Sequence, residues 1–147
     1  FSTVDYIQGA ARTPTVEGIP ITKPPYGRIS AMDLVEGDID WYIANADTPE
    51  RLKNHPLLEG VDIPRTGIPT RAGLLVTKSL LFAGEGTGGS SIFRAVDKAT
   101  GEIIAEIDLP ASQTGQPMTY MHNGKQYIVM AVSGNGPAEI VALALPD

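Results

Sequence analysis

Few residues in this chain are able to do chemistry, and spacing decides most of them. Gly84-Glu85-Gly86-Thr87-Gly88-Gly89 spells G-x-G-x-x-G directly after an apolar run. That pattern cradles a dinucleotide pyrophosphate when a helix N-terminus follows it. Here Ser90-Ser91-Ile92-Phe93-Arg94-Ala95-Val96 follows and alternates like a strand, so the segment reads as a flexible loop. Asp33 and Asp97 could be paired carboxylates for acid–base work, but their repeated spacing assigns them to turns. His55 lies near Arg51 and Lys53 in a long connection, where it could line a substrate entrance; a solvated loop histidine is the plainer reading. His122 sits at a hairpin tip and reads as exposed, and Trp41 reads as packing. Asn135 and Gly136 fall in a loop between late strands and carry no chemistry alone. No metal-ligand cluster and no Ser–His–Asp arrangement stands out.

Short strands must position these groups. Nine runs of alternating apolar residues, at 28–34, 39–44, 73–77, 80–83, 92–96, 103–109, 118–121, 126–132 and 139–145, predict an all-β protein. Turns separate them: Val35-Glu36-Gly37-Asp38, Lys98-Ala99-Thr100-Gly101, and His122-Asn123-Gly124-Lys125 with Asn-Gly at its tip. One short helix is expected over 48–58, with Thr48 as cap and Pro49 at its first position. Residues 1–27 are rich in Pro and Gly and read as an irregular arm. Residues 45–72 form a long loop of a length that usually serves function.

Composition narrows the class. At 42% hydrophobic and 19% charged over 147 residues, the chain is globular rather than disordered. The formal charge of −6 argues against nucleic acid, which binds clustered Lys and Arg. With no cysteine there is neither a disulfide framework nor a thiolate metal site. No apolar run is long enough to span a membrane. The chain starts at Phe1 rather than Met and carries no signal-like segment, so it reads as cut from a longer protein.

An internal repeat organises the strands. Ala31-x-Asp33-x-x-x-Gly37-x-x-x-Trp41 recurs at a constant offset as Ala95-x-Asp97-x-x-x-Gly101-x-x-x-Ala105, and a worn third copy, Ile140 to Leu145, lines up with Ile29 to Leu34. The small Ala lets neighbouring sheets approach. The Asp accepts N–H groups in the following turn, and the Gly takes positive φ there. A repeated sheet of this kind buries its faces by stacking on its neighbours, the propeller solution. The alternative is a β-sandwich with two similar hairpins. In propeller order, residues 28–44 end one blade, 73–109 form a complete four-stranded antiparallel blade, and 110–147 form a last blade without its outermost strand. Two sheet edges are then left open, and open edges pair with other chains.

The pattern A-x-D-x-x-x-G-x-x-x-W resembles the tryptophan-docking motif of the quinoprotein alcohol and sugar dehydrogenases. Pro24-Pro25-Tyr26-Gly27-Arg28-Ile29-Ser30-Ala31-Met32-Asp33-Leu34 is similar to the segment leading into that motif. Leu80-Leu81-Phe82-Ala83-Gly84, Gly115-Gln116-Pro117-Met118-Thr119-Tyr120 and Gly124-Lys125-Gln126-Tyr127-Ile128-Val129 resemble later parts of the same family. The resemblance runs from about residue 20 onward, and membrane-bound glucose dehydrogenases and their quinate-type relatives look most similar. It implies the closing blades of an eight-bladed propeller with pyrroloquinoline quinone (PQQ) and Ca²⁺ at its axis. It also implies hydride transfer from an alcohol, sugar or polyol to the quinone, with an Asp as base, in the bacterial periplasm and with a membrane anchor supplied by preceding sequence. The base, the metal ligands and most cofactor contacts belong to earlier blades. The chain alone is therefore expected to bind no cofactor and to be inactive, its partners being the remaining blades.

Two residues here are carried to the cofactor by the resemblance. Pro69-Thr70-Arg71-Ala72-Gly73 lies where family members have Pro-x-x-Gly-Gly, sometimes with a Trp touching the quinone at the Arg71 position. Thr70 and Arg71 are the expected cofactor residues; Arg71 departs from Trp, and a guanidinium could instead face a quinone carboxylate. Ala105 departs too, standing where the second docking motif expects Trp, so that blade must be sealed otherwise. The rival function is a cofactor-free scaffold or protein-binding propeller, like the outer-membrane assembly lipoproteins that use similar repeats.

Overall fold

The computed structural model describes residues 13–146; the start of the expected arm, 1–12, lies outside the described residues. In chain order the strands are β1 (Thr15–Val16), β2 (Ile19–Pro20), β3 (Arg28–Met32) and β4 (Ile39–Ala44). After helix α1 (Glu50–Lys53) and a 3₁₀ turn (Pro56–Leu58) come β5 (Leu74–Val76), β6 (Leu80–Gly84), β7 (Ile92–Asp97) and β8 (Ile103–Asp108). Then follow β9 (Met118–His122), β10 (Lys125–Val132) and β11 (Glu139–Ala144). All pairings are antiparallel. β3 and β4 form one sheet, β5-β6-β7-β8 a four-stranded meander, and β9-β10-β11 a three-stranded one.

The repeat is built as its residues require. Asp33 Oδ1 accepts from Val35 N at 2.7 Å and Glu36 N at 3.1 Å, and Gly37 turns the chain at φ 80°. In the second copy Asp97 Oδ1 accepts from Ala99 N at 2.8 Å and Thr100 N at 3.0 Å, and Gly101 has φ 78°. Both copies shift register at the same place, after Ala31 and after Ala95. Such a shift inserts a residue and sharpens local twist.

Successive sheets stack face to face. One buried cluster joins Ile29 of β3 to Leu81, Ala83 and Val96, with Trp41, Ile43 and Ile103 packed against it. The other joins Phe93 and Leu109 to Met130 and Val132, with Phe82, Ile128, Val141 and Leu143 around it. Alternation along β6 sends Leu81 and Ala83 to one cluster and Phe82 to the other, so the four-stranded sheet is covered on both faces. This is the layering of consecutive propeller blades and not a two-sheet sandwich; the fold is part of a β-propeller. Where Trp is missing at Ala105, the second and third sheets are joined by the Phe93–Met130–Val132 cluster, with Phe82 stacked on Phe93 at 6.0 Å between centroids. Among the described residues β3 pairs only with β4, and β11 only with β10.

Two local expectations need correction. The arm is not wholly irregular: Glu17 and Gly18, at φ 51° and 84°, close the β1–β2 hairpin. The helix is a single turn, and Thr48 does not cap it. Pro49 occupies the N-cap with no side-chain hydrogen bond, because the Thr48 hydroxyl is used elsewhere, donating to Pro64 O and accepting from Thr66 N.

Candidate functional site

An up-and-down meander puts alternate connections at opposite ends. The tight turns at 33–38, 98–101 and 122–125 occupy one end. The long connection 45–73, loop 84–91, connection 109–117 and loop 133–138 occupy the other. All the candidate binding residues lie at that second end.

The long connection is folded back by its own backbone. Asn45 N donates to Gly27 O, Ile68 N to Asn45 O, and Tyr26 N to Thr66 O, at 2.9, 2.9 and 2.6 Å. The crossing is so close that a Cβ on Gly27 would collide with the Ile68 carbonyl, which only glycine avoids. Buried Asn45 then donates from Nδ2 to Thr70 Oγ1 at 3.2 Å, fixing the half-buried Thr70. Arg71 beside it is exposed, and among the described residues its guanidinium has no ion pair or hydrogen bond.

Two side chains that sequence reasoning missed hold this segment and its neighbours. Gln113, 1% exposed, accepts at Oε1 from Gly84 N at 2.7 Å and donates from Nε2 to Gly73 O and Gly115 O, each at 2.9 Å. One amide thus clips 69–73 to β6 and to the connection into the third sheet. A glutamine in a polar loop gives no signal in sequence. The second is Arg94, 4% exposed. Its Nη2 lies 2.6 Å from Glu85 Oε1, and its Nε donates to Glu106 Oε1 at 2.6 Å. Glu85 is itself 2% exposed and accepts from Ser90 N at 2.7 Å. Burial works against the Arg94 charge, but the bonds to Glu106 and Glu85 outweigh it, and its pKa is raised. Removing one partner would leave a buried charge uncompensated, at about 3–5 kcal/mol. A signal was available here: Arg94 interrupts an apolar run on the face shared with Ala83 and Val96, which demands a buried counter-ion.

The G-x-G-x-x-G segment is therefore no nucleotide loop, since strand β7 follows it. Nor does it hang free: Glu85 is folded into it, and Ser112 Oγ donates to Gly89 O at 3.0 Å. Loop 84–91 also walls a cleft of about 450 Å³ with Ser91, Ser112, Gly134, Asn135 and Glu139 on its lining, which gives Asn135 and Gly136 a place at this end.

The other candidates are structural. His55 Nδ1 accepts from Leu57 N, which makes Nε2 the donor to Glu17 O at 2.8 Å, and Arg51 donates to Gly18 O at 2.9 Å. Both tether the β1–β2 turn and are not brought to Thr70 or Arg71. Lys53 pairs with Asp47 and Glu50. The hydrogen bond from Lys53, helped by Thr48 N–H, lowers the Asp47 pKa. Asp33 and Asp97 cap turns at the far end, and exposed His122 meets Asn123 Nδ2 at its Nε2, 3.3 Å away. No cluster of three or more His, Cys, Asp or Glu able to hold a metal occurs among the described residues, and no helix there is long and apolar enough to cross a membrane.

Residues 3–128 match the family model described as "PQQ: Glucose/ethanol/alcohol dehydrogenase, beta-propeller domain". The chain is 36% identical over 141 residues to a Xanthomonas campestris pv. juglandis protein described as "Probable quinate dehydrogenase (quinone)". It is 34% identical over 137 residues to the quinoprotein glucose dehydrogenase of Escherichia coli (strain K12), and 32% over 142 residues to the glycerol dehydrogenase large subunit of Gluconobacter thailandicus. Each match covers 88% of this chain but only 17%, 17% and 18% of the respective relative. The chain belongs to the PQQ glucose/ethanol/alcohol dehydrogenase β-propeller family.

Proposed function

We propose that this chain is the C-terminal part of a periplasmic PQQ-dependent dehydrogenase that oxidises an alcohol, sugar or polyol. Its blades would complete an eight-bladed ring, and the unpaired edges of β3 and β11 would meet the remaining blades or, in the isolated chain, other copies. When bound, the quinone supplies the hydride acceptor. The observation that carries this reading is Arg71: a cation without a partner among the described residues, at the loop end of a quinoprotein propeller, beside a fixed hydroxyl.

The residues here fit part of the cofactor. PQQ carries carboxylates, and a guanidinium is the side chain that grips them best. Gly86 would place a Cβ 2.9 Å from Ala72 N, so the backbone behind Arg71 is packed where only glycine fits, and the side chain projects from a supported segment. Thr70 Oγ1 already accepts from Asn45, which leaves its proton for an acceptor on the ligand. Ca²⁺ ligands would come from preceding sequence.

The test is to express the full-length protein, titrate it with PQQ and Ca²⁺, and follow dye reduction with glucose, quinate and glycerol. Quinone uptake with substrate-dependent reduction is expected. A full-length protein that takes up no quinone would end this reading in favour of the scaffold.

A further inference from the structure

Loop 84–91 stands between two features of the binding end. On one side Gly86 abuts the backbone of Arg71 and Ala72, where an added Cβ would stand 3.1 and 2.9 Å from their atoms. On the other, Gly89 O accepts from Ser112 Oγ, and Ser91 lines the cleft with Asn135. Nothing apolar anchors the loop: of its residues 85–91, Glu85 is the large buried one. The Glu85 carboxylate folds back into the loop to accept from Ser90 N, and a Cβ on Gly89 would run into the Glu85 side chain. What holds that carboxylate is Arg94 on β7. Arg94 is held in turn by Glu106 on β8, 3.8 Å from Arg65 of the long connection, and Arg65 lies 3.9 Å from Asp47.

A charge chain therefore runs Asp47–Arg65–Glu106–Arg94–Glu85, from the long connection through the four-stranded sheet and back to the loop beneath Arg71. Its inner pair is an unusual choice for stability alone. Buried ion pairs are often no better than apolar residues of the same volume, and here Arg94 Nη1 and Glu85 Oε1 are both left without a hydrogen-bond partner, so that Glu85 Oε1 meets Arg94 Nη2 as an ion pair alone. What a rigid, forked pair supplies is position: a guanidinium bridging two carboxylates admits few geometries.

We propose that Glu85 and Arg94 are positioning residues, whose buried ion pair sets loop 84–91 and through Gly86 sets the Thr70–Arg71 segment that receives the quinone. The cofactor half of this inference rests on the function proposed above; the loop-setting half does not.

The experiment uses the full-length protein, without and with PQQ, as wild type, Glu85→Gln and Arg94→Lys. Arg94→Lys keeps a buried cation but loses the fork, so it serves if Glu85→Gln does not fold. Without quinone, amide hydrogen exchange at 69–73 and 85–91 is expected to rise about tenfold or more in a variant, while the strands β6 and β7 keep their protection. With quinone, absorbance titration is expected to show affinity weakened roughly tenfold to a hundredfold, the range for loss of a group that orients a ligating one. Exchange at 69–73 unchanged from wild type would overturn the proposal whatever the quinone does. Exchange raised at 69–73 with wild-type quinone affinity would overturn its cofactor half. A wild type that binds no quinone would defeat the functional reading and leave the exchange result to decide the role of the pair in the loop.

Discussion

Trp41 of the first sheet packs directly on Gly101 of the second. Its indole Nε1 donates to Lys98 O at 3.0 Å, and a Cβ added at Gly101 would stand 2.7 Å from ring atom Cε3. Gly101 thus serves twice, once for positive φ in its own turn and once as the floor on which the neighbouring sheet sets its tryptophan. The repeat is complementary to itself: the aromatic of one copy needs the glycine of the next.

Gly101→Ala should therefore cost more than backbone strain. Gly124 has nearly the same φ, 79°, with nothing within 4 Å of its missing Cβ, so Gly124→Ala isolates the strain, about 1–2 kcal/mol. Gly101→Ala adds displacement of Trp41, for roughly 1–3 kcal/mol more. Urea midpoints of the two variants check the difference; equal losses would mean that the indole is not seated there.

The turn aspartates predict the acid limb of stability. Asp33 is held below the ordinary carboxylate range by N–H bonds from Glu36 and Val35, and Asp97 by bonds from Ala99 and Thr100. A lowered folded pKa stabilises above the unfolded value, near 3.9, and that contribution is lost as pH falls through the folded one. Asp47, lowered chiefly by Lys53, acts in the same direction. Melting temperature should fall below about pH 4, and fall less steeply in Asp33→Asn/Asp97→Asn, since an amide oxygen still accepts the turn bonds without titrating. Parallel curves for the two proteins would contradict this assignment.

Gln113→Leu keeps the volume but strands the buried Gly84 N and the part-buried Gly73 O and Gly115 O. At about 1–3 kcal/mol for each unsatisfied group, even partial access of water leaves a loss of roughly 2–4 kcal/mol. Chemical denaturation measures it. Gln113→Glu keeps the acceptor for Gly84 N but sets an uncompensated carboxylate against the Gly73 and Gly115 carbonyls at a buried position, so it should lose at least as much as Leu near neutral pH.

Arg71→Ala should be silent in stability, within about 0.5 kcal/mol, because the side chain is exposed and unpaired among the described residues. In the full-length protein it should weaken quinone binding about tenfold, as expected for loss of one charge-assisted contact. Titration of the variant with PQQ reads this directly, and unchanged affinity would place Arg71 away from the ligand.

What the residues alone determined was local and periodic. Alternation located all nine main strands, because side-chain direction along a strand is a property of the strand itself. The Ala/Asp/Gly spacing located the turns, because an aspartate reaching the next N–H groups and a glycine at positive φ act within a few residues. The short β1–β2 hairpin and the true cap of α1 escaped notice since two-residue strands carry no period and since Thr48 was claimed by residues sixteen and eighteen positions on. Tertiary structure alone decided the partners of buried polar groups. Glu85 and Gln113 look like loop residues until β7 and β6 arrive beside them, and His55 looks available until the β1–β2 turn occupies its ring. Burial makes an unpaired charge or amide costly, and which distant group satisfies it depends on how the sheets stack, information that no spacing along the chain contains.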